Sequence, residues 1–499
     1  MATSTGPARE TAGASNPTPI RNYIGGAWVT AEASEHLPVL NPATGGQLGQ
    51  VPSSTPGEVG RAVAAAAAAF PAWRATPPLE RAQFMFRLKE LMEQQFEDIA
   101  RTITLEHGKV LEDSRGSVRR AIENVEVAAG IPSLMMGYGL EDGASRGIDE
   151  EVVRQPLGVF AAICPFNFPA MVPFWFWPYA VACGNTFVVK PSEQVPLTMQ
   201  RIFELIQAAD FPSGVINLVH GHRPAVDALL DHPDIRGISF VGSSPVAAHV
   251  YQRAASHGKR VQAQGGAKNV LVTLPDANLD MAIPNIIGSA FGSSGQRCLA
   301  GSLLVTVGGG QAVVRDRVRD AAARLVVGNG LDPDVEMGPV ISAPARERIV
   351  AAISAAEADG ASLVLDGRQV RVPQHPQGFY VGATLFDNVA PEMRLAQEEI
   401  FGPVLGMIAV DTLDEAISLI NQSRYGNAAS IFTESGKAAR QFRYEVQCGN
   451  IGVNVGVAAP MAYFPFSGMK GSFYGTQHGQ GRDAIDFFTE RKVVITRWF

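Results

Sequence analysis

The sequence predicts an α/β fold: a doubly wound parallel sheet, followed by a second α/β unit and a small β extension. Three observations carry this. From Leu157 to Val189 (LGVFAAICPFNFPAMVPFWFWPYAVACGNTFVV) there is no charged side chain, and parallel strands covered on both faces read as continuous apolar runs. The run is long enough to span a bilayer, but Pro165, Pro169, Pro173 and Pro178 lie inside it and would break a spanning helix. A strand (GVFAAIC), a turn at PFNFP, a short apolar helix and a second strand (TFVVK) fit better. Second, the alternation continues through helix TMQRIFELIQAAD, strand VINLVHG, helix AVDALL, strand GISFVG and helix PVAAHVYQRAAS, the pattern of a parallel sheet with right-handed crossovers. Third, another α/β series runs from SLLVTV through VRDRVRDAAARLVVG and DEAISLINQS to GNIGVNV.

The remaining elements follow in chain order. MATSTGPARETAGASNPTP, rich in small residues and proline, lacks the apolar core of a secretory signal and reads as a disordered arm over residues 1–20. Met85, Leu88, Met92, Phe96, Ile99 and Ile103 recur at three- and four-residue steps, predicting one amphipathic helix from Leu79 to Glu106, with His107 as a cap beside Gly108. Met135 and Met136 read as core. Trp175 and Trp177 belong to the core or to a substrate tunnel. The closing KVVITRWF reads as a strand, and a sheet-forming tail of this kind can be stitched to a second copy, so a homo-oligomer is expected.

Composition excludes several function classes. With 499 residues, 46% hydrophobic and 18% charged, the chain can fill two or three cores. A net charge of -7 argues against nucleic acid as a partner. The four cysteines, at 164, 183, 298 and 448, form no CxxC pair; this suggests a reducing, cytoplasmic setting, with Cys164, Cys183 and Cys448 as packing residues. His220 and His222 form an HxH without a carboxylate cluster, so no metal is expected.

Ligands bind at the carboxyl ends of parallel strands. The turn after GVFAAIC offers Asn167. The turn after TFVVK offers Lys190 and Glu193, a cation and a carboxylate able to hold ribose hydroxyls. FVGSS places Gly242 and Ser243 at a helix N-terminus, where free N–H groups favour phosphate. The dinucleotide fingerprint G-x-G-x-x-G is absent from the chain. FGSSGQRCLA (Phe291 to Ala300) sets Cys298 behind glycines and serines, as either a nucleophile on a turn or a small apolar residue at a helix end.

PFNFP, KPSE, FVGSS, FGSSGQRC (291–298) and EEIFGPV (398–404) together, in this order and spacing, resemble the aldehyde dehydrogenase superfamily from about Tyr23 to Phe499. That resemblance implies an NAD-binding sheet lacking the usual fingerprint, Cys298 as nucleophile, and an oxyanion site made by the Asn167 side chain and the Cys298 backbone N–H. It places the nicotinamide ribose at Glu399 and Phe401 and the adenosine ribose at Lys190 and Glu193. Cys164, Phe166, Gln194, Gly242, Ser243 and Gly265 complete the cofactor site. It also implies an NAD-binding domain over 21–138 and 158–265, a catalytic domain over 266–471, and oligomerisation strands in 139–157 and 472–499, with a tetramer or dimer as the assembly.

One departure selects the acceptor. Hydrolytic members carry Glu in an E-L-G-G-K segment thirty-four residues before the cysteine; here 298 − 34 = 264 and the segment is QGGAK, with Gln264. An amide cannot take a proton from water, and loss of general-base help costs ~10²–10⁴-fold. A thiol acceptor escapes that limit because its own ionisation supplies the nucleophile. With IENVEVAAGIPSLMMG (122–137), GAKN and YFPFSGMKGSFYG (463–475), the chain looks like the CoA-acylating methylmalonate-semialdehyde dehydrogenase subgroup, which oxidises malonate or methylmalonate semialdehyde, releases CO2 and passes the acyl group to coenzyme A. The substrate carboxylate needs a partner in a partly dry pocket, and the guanidinium fork suits it; Arg120 and Arg297 are the candidates. Two alternatives stand beside this reading: a hydrolytic aldehyde dehydrogenase using another carboxylate, and a non-oxidative cysteine acyltransferase or inactive homologue.

Overall fold

The computed structural model describes residues 18–499, so the arm expected over 1–20 lies outside the described residues as far as position 17. Thr18–Pro19 is already ordered as a short strand pairing in parallel with Gln47–Pro52.

Five parallel strands form the centre of an eight-stranded sheet, in the spatial order Arg260–Gln264, Ile235–Val241, Val159–Ile163, Thr186–Lys190 and Ile216–Leu218. The first in sequence, Val159–Ile163, lies between the second and the fourth, so the winding direction reverses beside it, and the crevice at such a reversal is where ligands bind. The alternation of this strand explains why it carries no polar residue. Val159, Ala161 and Ile163 face the helices Pro56–Ala75, Arg223–Asp231 and Ser244–Ser256. Phe160 and Ala162 face a second core that includes residues of Phe96–His107 and Leu197–Ala208. The uncharged segment that follows the strand forms two short helices, Met171–Phe174 and Trp177–Ala182. Both tryptophans are buried, Trp175 stacked on Phe466 with centroids 4.3 Å apart.

A second, seven-stranded sheet holds Asn269–Thr273 at its heart, flanked by Gly301–Val307 and Ala428–Phe432, all parallel. A three-stranded antiparallel sheet joins Thr489–Arg497, Ile148–Pro156 and Tyr138–Leu140. Of the tail from 472 onward, only the last strand joins it: Phe473–Tyr474 edges the eight-stranded sheet, and Gly481–Phe488 is a helix whose Phe487 and Phe488 pack on Phe160.

Two local expectations are corrected. The helix foreseen from Leu79 to Glu106 is two helices, Pro78–Gln94 and Phe96–His107, broken at Gln95 (φ −106°, ψ 16°). Apolar spacing persists through the break because both halves bury their stripes in one core with the helix Leu111–Ala129. Met136 is exposed, not core, because it leads into the outer strand of the three-stranded sheet.

The helix Leu197–Ala208 begins after Pro196, which offers no side-chain cap. Its first N–H groups are instead taken by a carboxylate from another helix: Glu106 accepts from Leu197 N (2.7 Å), Thr198 N (3.0 Å) and the Thr198 hydroxyl. Burial pushes the Glu106 carboxyl up to about 8 against the pull of these donors. Glu106→Ala strands buried donors and is expected to destabilise the chain by roughly 2–4 kcal/mol, read as a lowered thermal midpoint, whereas Thr198→Val removes one donor and costs less.

Candidate active site

Helix Leu279–Phe291 ends in a turn whose backbone is left-handed at three consecutive residues: Ser293 (φ 49°), Ser294 (φ 56°) and Gly295 (φ 70°). Gly295 also needs its missing side chain, since a Cβ there would run into the Gly402 carbonyl. L-residues resist this conformation, and specific bonds hold it. Asp113, in the first turn of Leu111–Ala129, accepts from Ser293 N (3.0 Å) and Ser293 Oγ (2.9 Å) and pairs with Arg297 Nη2 (2.6 Å). Ser294 Oγ donates to the Gly338 carbonyl at 2.6 Å. Burial opposes charge on Asp113, but Arg297 and Lys109 with the Ser293 hydrogen bond hold its carboxyl below the usual range.

Beyond the turn, the chain is fixed residue by residue. Gln296 accepts from Ile341 N through Oε1 (3.0 Å), and its carbonyl accepts from Asn167 Nδ2 (3.0 Å). The Cys298 carbonyl takes two side-chain amides, Asn269 Nδ2 (2.8 Å) and Asn427 Nδ2 (2.7 Å). The thiol is pushed up to about 12, first by burial and then by the charge of Glu399, while the N–H groups of Cys298 and Leu299 and the Arg297 cation pull it back.

Cys298 lines one end of a cavity of about 920 Å³ at the point where the sheet reverses its winding. Its walls include every residue expected for the cofactor: Cys164, Phe166, Lys190, Glu193, Gln194, Gly242, Ser243, Gly265, Glu399 and Phe401, together with Asn167. Lys190 is buried, donates to the Gly221 carbonyl (2.6 Å) and lies 3.5 Å from Glu193. Gly242 and Ser243 lead into the helix Ser244–Ser256, whose capping serine makes no side-chain cap bond. Glu399 accepts from Ala267 N (2.9 Å) and lies so close to Gly266 that a Cβ there would strike its carboxylate. Burial raises the Glu399 carboxyl, against Ala267, Lys268 and Arg348. Phe401 adopts φ 55° and meets Phe166 edge-on at 5.8 Å, a strained non-glycine backbone of the kind that gathers at functional sites. The shape and donors fit a dinucleotide: a helix N-terminus for phosphate, and a cation and carboxylates for ribose hydroxyls.

The structure separates other candidates from this cavity. Gln264 is buried, donates to the Phe466 carbonyl at 3.3 Å and does not line it. Arg297, expected to face the substrate, has its guanidinium committed to Asp113, with Nη1 on the Gly288 carbonyl (3.1 Å), because the nucleophile turn brings Asp113 within reach. Arg120 pairs with Glu123 at 3.0 Å on its own helix. Neither arginine lines the cavity. Of the HxH pair, His220 is buried with both ring nitrogens unpartnered, and His222 lines the cavity and meets Glu35 at 3.1 Å. Asp113, Lys109, Asn427 and Arg348 were not legible as site residues; only Asn269 stood in a quoted motif, GAKN.

A doubly wound sheet with a ligand crevice where its winding reverses is the architecture of the nucleotide-binding α/β class. The chain belongs to the aldehyde dehydrogenase family, whose description matches residues 28–494. It is 51% identical to malonate-semialdehyde dehydrogenase 2 of Geobacillus thermodenitrificans over 96% of this chain and 99% of that one. The crystal structure of methylmalonate-semialdehyde dehydrogenase from Oceanimonas doudoroffii matches with a TM-score of 0.95 at 46% identity, over 97% of this chain and 99% of that one. A Sinorhizobium meliloti structure complexed with NAD matches at 40% identity and the same TM-score, also over 97% and 99%.

A thiol held near 12 is almost wholly protonated at neutral pH, so its alkylation by iodoacetamide is expected to quicken about tenfold per pH unit from 7 to 10, followed by mass spectrometry of the Cys298 peptide. Gly295→Ala forces a side chain onto Gly402 and is expected to abolish this labelling pattern and NADH production together.

Proposed function

We propose that this chain catalyses the NAD-dependent oxidation of malonate or methylmalonate semialdehyde, with loss of CO2 and transfer of the acyl group from Cys298 to coenzyme A, giving acetyl-CoA or propionyl-CoA. The observation that carries the reading is the cavity joining Cys298 and Asn167 to Lys190, Glu193, Glu399 and Phe401. Cys298 Sγ attacks the aldehyde carbon, its proton leaving to solvent. The oxygen of the resulting thiohemiacetal takes up negative charge between the Asn167 amide and the Cys298 N–H; one donor of this kind is worth ~2.7–4 kcal/mol of barrier. NAD, when bound, supplies the hydride acceptor. Loss of hydride leaves a thioester on Cys298, whose β-carboxylate departs as CO2 while the thioester carbonyl takes up the electrons. The enolate so formed takes a proton from solvent, and the CoA thiolate then attacks the thioester carbonyl and expels the Cys298 thiolate, which regains its proton.

Gln264 supports a thiol as acceptor, since its amide offers no base and is itself bonded to Phe466. We propose Arg297 and Arg120 as the partners of the substrate carboxylate on the strength of their guanidinium forks; in the free chain both hold carboxylates of their own outside the cavity, Asp113 and Glu123. A hydrolytic alternative has one specific support: Glu399 lines the same cavity as Cys298 and its charge acts on the thiol. Exposed Tyr138, Leu140, Val493 and Ile495 on the three-stranded sheet support a homo-oligomer, a dimer or tetramer, and four free cysteines support a cytoplasmic setting.

The deciding assay is NADH production from malonate semialdehyde with and without CoA, with the product identified by mass. Sustained turnover is expected only with CoA, and equal rates of CoA-independent acid formation would favour the hydrolytic alternative. Cys298→Ala is expected to yield no NADH. Gln264→Glu is expected to raise CoA-independent turnover if position 264 governs water activation. Arg120→Ala is expected to raise KM for the semialdehyde acid by about 10–100-fold, as loss of a charged hydrogen-bond partner would, while sparing propanal; equal losses on both substrates would refute the assignment.

A further inference from the structure

Lys109 has no part in the chemistry above, yet it is among the largest side chains with no solvent exposure. It follows Gly108, whose φ of 90° closes the helix Phe96–His107. Its root is clamped between the two units of the chain: a Cβ on Gly330 would strike the Lys109 carbonyl, and one on Gly338 the Gly108 carbonyl. From there the side chain passes Phe168, with Nζ 4.1 Å from the ring centroid, and donates to the main-chain carbonyl of Asn167 at 2.6 Å. Around it stand His107, whose Nδ1 accepts from Lys109 N at 3.2 Å, the charges of Asp113 and Arg297, and the Cys298 thiol. Burial lowers the ammonium to about 7, which makes this an expensive place for a cation unless its bond does something an apolar chain could not.

We propose that Lys109 is a positioning residue for the oxyanion site: through the Asn167 carbonyl it fixes the peptide whose side chain donates to the substrate oxygen. The inference rests on the reading of Asn167 as that donor. Asn167 is gripped at both ends, its carbonyl by Lys109 and its Nδ2 on the Gln296 carbonyl of the nucleophile chain. The charges of Lys109 and Asp113 also act on each other through space, and Asp113 is the carboxylate that shapes the turn before Cys298.

A double-mutant cycle on the pre-steady-state burst of NADH, using the full chain with malonate semialdehyde and NAD, tests this. Lys109→Met is expected to slow the burst about 10–100-fold, less than the ~10²–10³-fold typical of losing a direct oxyanion donor, with NAD affinity unchanged. In an Asn167→Ala background the same substitution is expected to add almost nothing, because its route of action is already gone. A burst at the wild-type rate in Lys109→Met, or the same fold-loss in both backgrounds, overturns the proposal. Asn167→Ala bursting at the wild-type rate overturns the oxyanion reading and, with it, this one. If Lys109→Met does not fold, Lys109→Arg enters the same cycle, with its expected loss smaller and again confined to the Asn167 background.

Discussion

The carboxylate of Asp113 is the constraint from which the geometry of the candidate site follows. Two serines in left-handed backbone cost on the order of 1–2 kcal/mol each, and the turn containing them sets where Cys298 emerges. Hydrogen bonds to an ionised acceptor return ~1.5–3 kcal/mol apiece, and Asp113 accepts from Ser293 twice and from Arg297 once. The charged bonds therefore more than offset the strain. Removing the charge would leave a buried turn without its partner, so the position is fixed by electrostatics as much as by packing.

The same charge reaches further. Lys109 and Arg297 both neutralise Asp113, and Lys109 in turn holds Asn167. On the other flank, Asn269 and Asn427 hold the Cys298 carbonyl, and both come from strands or turns of the seven-stranded sheet, while Asn167 comes from the eight-stranded one. The chain at Cys298 is thus gripped by both sheets at their seam. Its thiol remains protonated at rest because burial and Glu399 outweigh the donors and the cation beside it.

Much of this was legible beforehand where one residue type does one local job. The uncharged segment after Leu157 became strand and buried helices because apolar residues facing two cores need no polar side. Cys164, Phe166, Lys190, Glu193, Gln194, Gly242, Ser243 and Gly265 line one cavity because they stand at the carboxyl ends of neighbouring parallel strands, and Glu399 and Phe401 reach it from the segment before Val404–Val410 of the second sheet. What escaped were partnerships across the chain. Asp113 in LEDSR looks like any first-turn helix carboxylate, and Lys109 like a residue after a helix. That Arg297 meets Asp113 at 2.6 Å could not be read either, because nothing near the arginine in sequence shows where that carboxylate lies. The break at Gln95 escaped too, because apolar spacing continued across it.

The sequence by itself determined the α/β alternation, the family resemblance, the placing of Cys298 behind a run of glycines and serines, and the absence of a carboxylate at position 264, because each depends on residue identity at short range or fixed spacing. Only the tertiary structure decided which partners the buried titratable groups meet: Asp113 with Arg297, Lys109 with the Asn167 carbonyl, Glu106 with the helix after Pro196. Those contacts join residues from 58 to 184 positions apart, and a buried charge takes whatever partner the packing of two sheets brings to it, which no local pattern encodes.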